Sequence, residues 1–371
     1  MLQYFSGTFE CARSRFIEDS HYFLKSSYPE IDHSIFRQTA DTQSDLIHAK
    51  REGNQTLLVL SSGLHGIEGY TGSAMQLRFL EYYLSHLDTG TVDLLLLHGI
   101  NAYGMKHHRK ESDKNINFNR NAIEDWTDAD LSNPEFKKSS DLFVPRSVTG
   151  SKLEYFPFLF KTIKHLVQLG PKRFMKGATL GQFEFPAGFY YGGPAPDPYF
   201  HQILTQLTNR FSAYTHILFL DCHTGFGHQA EVQLVMSSED PMHSKDVKKI
   251  FHYPIVENPR EQQFYKIEGE WLNWMYRYTK QQNLGFMGFT VECGTVGKGP
   301  IGLLRSLKAT IDESRLFAGR AECAPAIRKR FDELYIPSSK QWRKQVLKEA
   351  DLIFEQMVQF INDPSNHTLM K

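Results

Sequence analysis

The sequence LLVLSSGLHGIEG at residues 57–69 joins an apolar strand to a turn that carries two candidate metal ligands. Its continuous apolar start predicts a strand that is covered on both faces. Gly63 interrupts this strand, and His65 and Glu68 then follow at H-x-x-E spacing, before a helix that we predict over residues 70–85. Imidazole nitrogen and carboxylate oxygen are both good zinc ligands. The short motif is common by chance, but ligands of open α/β sheets gather at the carboxyl ends of strands, so its position favours a metal site.

Strands and helices alternate along the rest of the chain. Apolar runs predict strands at residues 56–62, 92–98, 216–220, 231–236 and 286–291. Apolar side chains at helical spacing predict helices at residues 4–24, 158–169, 198–214, 261–281 and 340–361. This alternation predicts an α/β sandwich.

Two segments fit this alternation less well. Residues 101–121 are polar and irregular, which predicts a long loop. Residues 125–181 mix an acidic piece, a piece with Pro and Ser, and the helix predicted at 158–169. We therefore expect a single domain over residues 1–371, with an insertion or subdomain at 125–181 packed on the main sheet and a C-terminal helix at 340–361.

Bulk composition is that of a soluble globular protein. The 371 residues are 41% hydrophobic and 23% charged, with 42 Lys and Arg against 42 Asp and Glu. A formal net charge of zero argues against nucleic acid or an anionic membrane as the partner. The four cysteines are far apart, which is typical of reduced thiols in a cytosolic protein. Residues 1–18 lack the apolar core of a secretory signal, and no window approaches the roughly 18 apolar residues of a membrane span. We therefore expect a cytoplasmic protein without a membrane or nucleic-acid partner.

A third candidate ligand follows another predicted strand. The sequence FLDCHTG at residues 219–225 ends an apolar run and then places His223 before a turn. Taken alone, a histidine at a strand end is more often a hydrogen-bonded structural residue than a ligand. Together with His65 and Glu68 it completes a set of two histidines and one carboxylate, which leaves a coordination position open, as in catalytic zinc sites.

A carboxylate ends the last predicted strand in the same way. Glu292 follows the apolar run at residues 286–291. Such a residue can be an ordinary surface glutamate, which is the usual fate of Glu. It can also be the general base that takes a proton from water in metal-assisted hydrolysis.

The polar segment at residues 101–121 carries candidate donors, Arg109, Asn119 and Arg120. Hydrolysis of an amide builds negative charge on oxygen, which a fixed guanidinium stabilises. An Arg beside an amide also suits a substrate carboxylate, because the guanidinium binds it as a fork. Alternatively, this segment is a polar surface loop with incidental basic residues, and by itself it favours that interpretation.

Taken in order, these elements resemble the zinc carboxypeptidase superfamily. The matching pieces are His65-x-x-Glu68, Arg109, the pair Asn119-Arg120, His223 and Glu292. The long gap before His223 and the shorter gap before Glu292 are also similar to that family. The loop at residues 181–193 and the piece CARSRF at residues 11–16 look like a bacterial branch of unknown function within this superfamily.

The resemblance implies an α/β/α sandwich with a mixed, mostly parallel sheet and one zinc ion per chain. His65, Glu68 and His223 would be the zinc ligands. Glu292 would activate water, and Arg109 would stabilise the oxyanion.

The resemblance also implies residues that bind the substrate. Asn119 with Arg120 would hold a terminal carboxylate. Carboxypeptidases of this type use a mobile tyrosine as well, and Tyr265 fits its place best, with Tyr276 and Tyr278 as the alternatives.

One position departs from the pattern of the family. The family usually has Asp two places before the Asn of the Asn-Arg pair, where it orients the first histidine ligand, and this chain has Asn117 there. Losing such a partner typically costs about 10–100-fold in metal affinity or activity. Asp221 or a main-chain carbonyl could take over the task.

These residues predict a zinc-dependent hydrolase of amide bonds, in the first place a carboxypeptidase-type metallopeptidase that acts on small peptides. An N-acyl amino acid deacylase is the alternative, because the succinylglutamate desuccinylase and aspartoacylase branch has a similar pattern with the same ligands. A metal-free binding protein on the same fold is a third hypothesis, against which the intact set of ligands argues.

Overall fold

The computed structural model describes residues 1–144, 155–261, 267–297, 299–320 and 324–370. Within these residues, eight strands form one sheet. The strands are β1 (Glu30–Arg37), β2 (Gln43–Lys50), β3 (Thr56–Ser62), β4 (Val92–His98), β5 (His216–Gly225), β6 (Val232–Met236), β7 (Val256–Glu257) and β8 (Gly285–Gly294).

Helices cover both faces of this sheet. They are α1 (Phe9–Leu24), α2 (Gly69–Tyr82), α3 (Ala102–His107), α4 (Pro134–Lys138), α5 (Ser140–Phe143), α6 (Tyr155–Leu169), α7 (Pro171–Thr179), α8 (Pro198–Phe211), α9 (Ser244–Ile250), α10 (Trp271–Gln281), α11 (Pro300–Phe317), α12 (Ala324–Tyr335) and α13 (Lys340–Asn362). None of the helices in the described residues is both long enough and apolar enough to cross a membrane.

The sheet is mixed, with the order β1-β2-β4-β3-β5-β8-β6-β7. Its centre is parallel, because β3 pairs in parallel with β4 and β5, and β5 pairs in parallel with β8. Antiparallel pairing joins β1 to β2, β2 to β4, and β6 to β8. The prediction of an α/β fold with a mixed, mostly parallel sheet is confirmed.

Side chains alternate between the two faces of the central strands. In β3, Leu58 and Leu60 belong to an apolar core with α1, α2 and α13. Leu57 and Val59 belong to a separate core with α8 and α10 on the opposite face. The strand is therefore apolar along its whole length because helices cover both of its faces, as a three-layer sandwich requires.

The structure differs from the sequence predictions at several elements. The strands β1 and β2 were not predicted, because their polar side chains hide the apolar pattern. The segment at residues 101–121 is not one long loop, since it contains α3, whose first turn is capped by the side chain of Asn101 through the amide of Gly104. Within the segment 261–281, predicted as one helix, the structure places α10 at Trp271–Gln281, and the carboxylate of Glu270 accepts hydrogen bonds from the backbone nitrogens of its first turn.

The described part of residues 125–181 consists mainly of the four helices α4 to α7. Phe136, Phe143, Phe158 and Phe174 form a small apolar core there, which Ile311 of α11 joins. This separate core is what a subdomain needs, and the division into one main domain with an insertion stays a prediction.

Candidate metal centre

The turn after β3 fixes the first two candidate ligands. Gly63 adopts φ +76°, a conformation that favours glycine, and ends the strand. Gly66 lies against α3 so closely that a Cβ atom there would come within 2.2 Å of the carbonyl carbon of Gly104. His65 precedes the resulting 3-10 turn and Glu68 ends it, so both side chains are held at the carboxyl end of the sheet.

The three predicted ligands meet at this end of the sheet. His65, Glu68 and His223 each offer one ligand atom, and these atoms all lie within 4.8 Å of one another. The Nδ1 atom of His65 is 3.2 Å from Oε1 of Glu68, and the Nδ1 atom of His223 is 3.0 Å from Oε2 of the same carboxylate. All three residues are buried. We call these three residues the ligand group.

A chain of hydrogen bonds orients His223. Its Nε2 atom lies 2.5 Å from Oδ2 of Asp221, which also accepts a hydrogen bond from the indole nitrogen of Trp271 at 2.8 Å. The other oxygen of Asp221 accepts from the hydroxyl of Ser61 at 2.7 Å. Burial would lower the pKa of His223, but Asp221 and Glu68 outweigh it and raise the pKa well above its usual value. Asp221 therefore supports the second histidine, not His65 as the sequence had suggested.

The first histidine lacks such a carboxylate. The Nε2 atom of His65 and the Oδ1 atom of Asn117 are both buried, and neither has a hydrogen-bond partner among the described residues. Burial and the nearby Lys110 lower the pKa of His65 to about 3, so its imidazole is neutral, as a metal ligand must be. The Nε2 atoms of the two histidines therefore differ in support, since only that of His223 has a carboxylate partner among the described residues.

Lys110 places a cation beside the ligand group, and the sequence analysis had not identified it as a site residue. Its Nζ atom is buried 3.0 Å from Oε1 of Glu68. The ring centroids of Tyr190 and Tyr335 lie 5.3 and 4.9 Å from the same atom. Burial would raise the pKa of Glu68, but Lys110 and the two histidines of the group hold it well below its usual value.

Arg109 has other partners. Its Nε atom donates to Oε1 of Glu313 on α11 at 2.5 Å, and its terminal nitrogens donate to Asn115 and to the carbonyl of Ser112. These contacts connect α11 to residues 109–115, and none of them involves the ligand group. The role of Arg109 in stabilising an oxyanion stays a prediction.

Glu292 lies beside His223 on the neighbouring parallel strand, where the two residues are paired in register. Its Oε1 atom accepts a hydrogen bond from the backbone nitrogen of Phe226 at 2.8 Å. Burial, with a contribution from Glu68, raises the pKa of Glu292 to about 7. A carboxyl group with this pKa suits proton transfer near neutral pH.

Both residues of the predicted carboxylate-binding pair, Asn119 and Arg120, make hydrogen bonds to backbone atoms of other elements. The side-chain oxygen of Asn119 accepts from the backbone nitrogen of Trp271 at 3.1 Å. Arg120 donates to the carbonyls of Leu180 and Thr179, each at 2.9 Å. The pair therefore joins α10 to the end of α7, and its binding of a substrate carboxylate stays a prediction.

The identity of the mobile tyrosine stays a prediction. Tyr265 lies outside the described residues. The alternatives have other partners, because the hydroxyl of Tyr276 donates to Asp240 in the core and that of Tyr278 donates to the carbonyl of Thr208.

Comparison with known families identifies the chain. Residues 5–349 match the family described as Protein of unknown function (DUF2817). The chain belongs to this family. No curated protein matches it.

Several solved structures are similar to this chain. Bovine thrombin-activatable fibrinolysis inhibitor, in complex with tick carboxypeptidase inhibitor, is 12% identical with a TM-score of 0.49, over 88% of this chain and 98% of that chain. Carboxypeptidase A from Helicoverpa armigera is 10% identical with a TM-score of 0.46, over 89% and 74%. Murein-tripeptide amidase MpaA from Escherichia coli O157 is 14% identical with a TM-score of 0.38, over 81% and 92%. Identities and TM-scores this low do not define the function of this chain.

Proposed function

We propose that this chain is a zinc-dependent hydrolase of amide bonds, and specifically a carboxypeptidase-type peptidase that acts on small peptides. The observation that carries the proposal is the buried ligand group of His65, Glu68 and His223, whose ligand atoms lie within 4.8 Å of one another. Two imidazole nitrogens and one carboxylate oxygen make up a catalytic rather than a structural zinc site, because a fourth position stays open.

The donor atoms fit a zinc ion. The Nε2 atom of His223 is hydrogen-bonded to Asp221, so its Nδ1 atom faces Glu68 and is the atom that would bind the metal. The Nδ1 atom of His65 faces the same carboxylate of Glu68. A zinc ion bound there would lower the pKa of a water molecule and polarise a substrate carbonyl.

The surrounding residues would supply the remaining chemistry. Glu292, partly exposed and paired in register with His223, takes the proton from water and passes it to the leaving amine. Lys110 places a positive charge beside the ligand group, where the carbonyl oxygen gains negative charge. Asn119 and Arg120 would bind the terminal carboxylate of the peptide. Tyr265 remains the proposed mobile tyrosine, with Arg109 as a further candidate for the oxyanion.

Metal content tests the ligand group directly. Wild-type protein supplied with zinc should hold about one zinc ion per chain, the stoichiometry of a mononuclear site. The double variant His65→Ala/His223→Ala should hold none while its circular dichroism spectrum is unchanged. The control His48→Ala/His98→Ala removes two other buried histidines of the sheet and should keep the metal. A wild-type protein without bound zinc would contradict the proposal and favour a metal-free binding protein.

Turnover tests the proposed base. Glu292→Gln has nearly the same shape, so it should bind zinc like the wild type but lose hydrolysis of short peptides. Glu231→Gln, a change just before β6, is the matched control and should keep activity. Full activity of Glu292→Gln would remove Glu292 from the mechanism. A wild type that hydrolyses only N-acyl amino acids would assign the chain to the deacylases instead.

A further inference from the structure

The outward face of α6 exposes four large apolar side chains. Phe156, Phe160, Ile163 and Val167 are exposed to 74%, 73%, 58% and 80%. Their spacing of three and four residues places them on one stripe of the helix. We call these four residues the α6 stripe, which is about 16 Å long at 1.5 Å per residue.

The opposite face of α6 already packs against the protein. Phe158, Thr162 and His165 are its buried residues, and Nε2 of His165 lies 2.6 Å from Oδ1 of Asp141 on α5. The α6 stripe is thus apolar surface beyond what the fold buries. Monomeric proteins rarely expose contiguous apolar patches of this kind, and such patches mark interaction sites.

Helix α6 and the following helix α7 carry basic side chains. Residues 155–183 contain no Asp or Glu, and their basic residues are Lys161, Lys164, Lys172, Arg173 and Lys176. Lys164 is 3.8 Å from Asp141 and Arg173 is 3.1 Å from Glu135. Lys161 and Lys176 also interact electrostatically with acidic residues, Lys161 with Asp141 and Lys176 with Asp130 and Glu135. The side chains of Lys164 and Arg173 nevertheless stay 45% and 56% exposed. Residues 155–183 therefore carry five Lys or Arg side chains and no Asp or Glu, in a chain whose formal net charge is zero.

We propose that this face of α6 docks on the surface of an anionic lipid bilayer. The helix would lie in the plane of the interface, with the α6 stripe among the upper acyl chains and the basic side chains at the lipid phosphates. A helix of 15 residues is too short to span the bilayer, so the binding is peripheral. This docking surface lies outside the ligand group and does not depend on its chemistry.

The charge of the face favours a bilayer over a second copy of the chain. In a two-fold dimer the same patch is used by both subunits. Two α6 faces would then bring together two surfaces that both carry basic residues, and like charges oppose such an interface. An anionic bilayer instead complements both the apolar and the basic parts of the face.

Vesicle flotation of the full chain tests this docking. Wild-type protein should float with phosphatidylcholine vesicles that contain about 30 mole percent phosphatidylglycerol, and binding should fall roughly tenfold with phosphatidylcholine alone or in about 0.5 M salt. Phe156→Ser/Phe160→Ser should weaken binding to the anionic vesicles by roughly tenfold or more. Tyr22→Ser/Leu352→Ser is the control, because it removes two exposed apolar side chains (64% and 50%) from other helices and should bind like the wild type.

Substitution of the basic residues tests the docking independently of the apolar side chains. Lys164→Gln/Lys172→Gln should reduce binding to anionic vesicles and leave the weak binding to phosphatidylcholine unchanged. Failure of the wild type to float with anionic vesicles, or equal loss in the Tyr22 and Leu352 control, would overturn the proposal. Light scattering that shows a dimer, lost in the two-Phe variant, would assign the face to a second copy instead. Thermal unfolding should be unchanged in all variants, since the altered side chains are exposed.

Discussion

Replacing Lys110 by Met should destabilise the metal-free protein and tighten its binding of zinc. Lys110 is buried with its Nζ atom 3.0 Å from Oε1 of Glu68, so it balances the charge of a carboxylate that is also buried. Methionine keeps the length and apolar stem of the side chain but removes the charge. Glu68 then keeps its negative charge with less compensation until a metal ion binds.

The expected magnitude follows from the burial of the pair. Removing one partner of a buried ion pair costs about 3–5 kcal/mol, because the other charge is left unpaired. The two histidines of the ligand group also face Glu68 and relieve part of this cost, so we expect about 3 kcal/mol, at the lower end of that range. Zinc would restore the balance, so its affinity should rise between tenfold and a hundredfold, at about 1.4 kcal/mol for each factor of ten.

Two measurements check this prediction. Urea unfolding in the presence of a chelator gives the stability of the metal-free protein, and competition with a chelating dye gives the zinc affinity. Lys114→Met is the matched control in the same segment, because Lys114 is 57% exposed in its pair with Asp197 and should contribute at most about 1 kcal/mol. Unchanged stability together with weaker zinc binding in Lys110→Met would refute the reasoning, since Lys110 would then support the metal instead of competing with it.

Further predictions concern the neighbours of the ligand group and one histidine of the core. Arg109→Met should cost about 3 kcal/mol in urea unfolding but, unlike the change at Lys110, leave the zinc affinity unchanged. Trp271→Phe should weaken zinc binding by about 10–100-fold in the dye competition, because it removes a hydrogen bond that orients a ligand, whereas Trp274→Phe should not. Burial lowers the pKa of His98 from 6.5 to about 4. The unfolded state therefore binds the proton first as the pH falls below 6.5, so His98 alone should lower the free energy of unfolding by about 2 kcal/mol at pH 5, and His98→Gln should remove this part of the total loss.

The sequence predicted the centre of the fold well because the central strands are buried on both faces. The strands at residues 56–62 and 92–98 have the predicted bounds. Parallel neighbours bring their carboxyl ends to one edge, so residues placed alike after β3 and near the ends of β5 and β8 could be expected to meet. His65, Glu68 and His223 do meet there.

The cations of the site were harder to predict. Arg109 and Lys110 are adjacent, and the sequence does not show which of the two side chains faces the ligand group. The orientation of each side chain depends on a distant carboxylate. Glu313 of α11 binds the guanidinium of Arg109, and Glu68 binds the ammonium of Lys110. Tyr335 reaches the same place from α12, and no local pattern predicts a contact between elements so far apart in the chain.

The net charge of the whole chain does not show the local charge of residues 155–183. A balance of 42 basic and 42 acidic residues argued against an anionic membrane, but the balance holds only for the whole chain. Residues 155–183 contain five Lys or Arg residues and no Asp or Glu, and the folded helix α6 exposes four apolar side chains within the same segment. Exposure of that stripe depends on which face of α6 packs inward, which the periodicity alone does not give.

The two histidines of the ligand group differ in a way that bears on how the site works. Asp221, itself held by Ser61 and Trp271, fixes His223 before any metal binds. His65 has no such support at its Nε2 atom among the described residues. A partner carboxylate raises the basicity of a ligating imidazole, so His65 should be the weaker ligand. Metal affinity would then be governed by His65 and by the competing charge of Lys110, while His223 provides a preformed anchor.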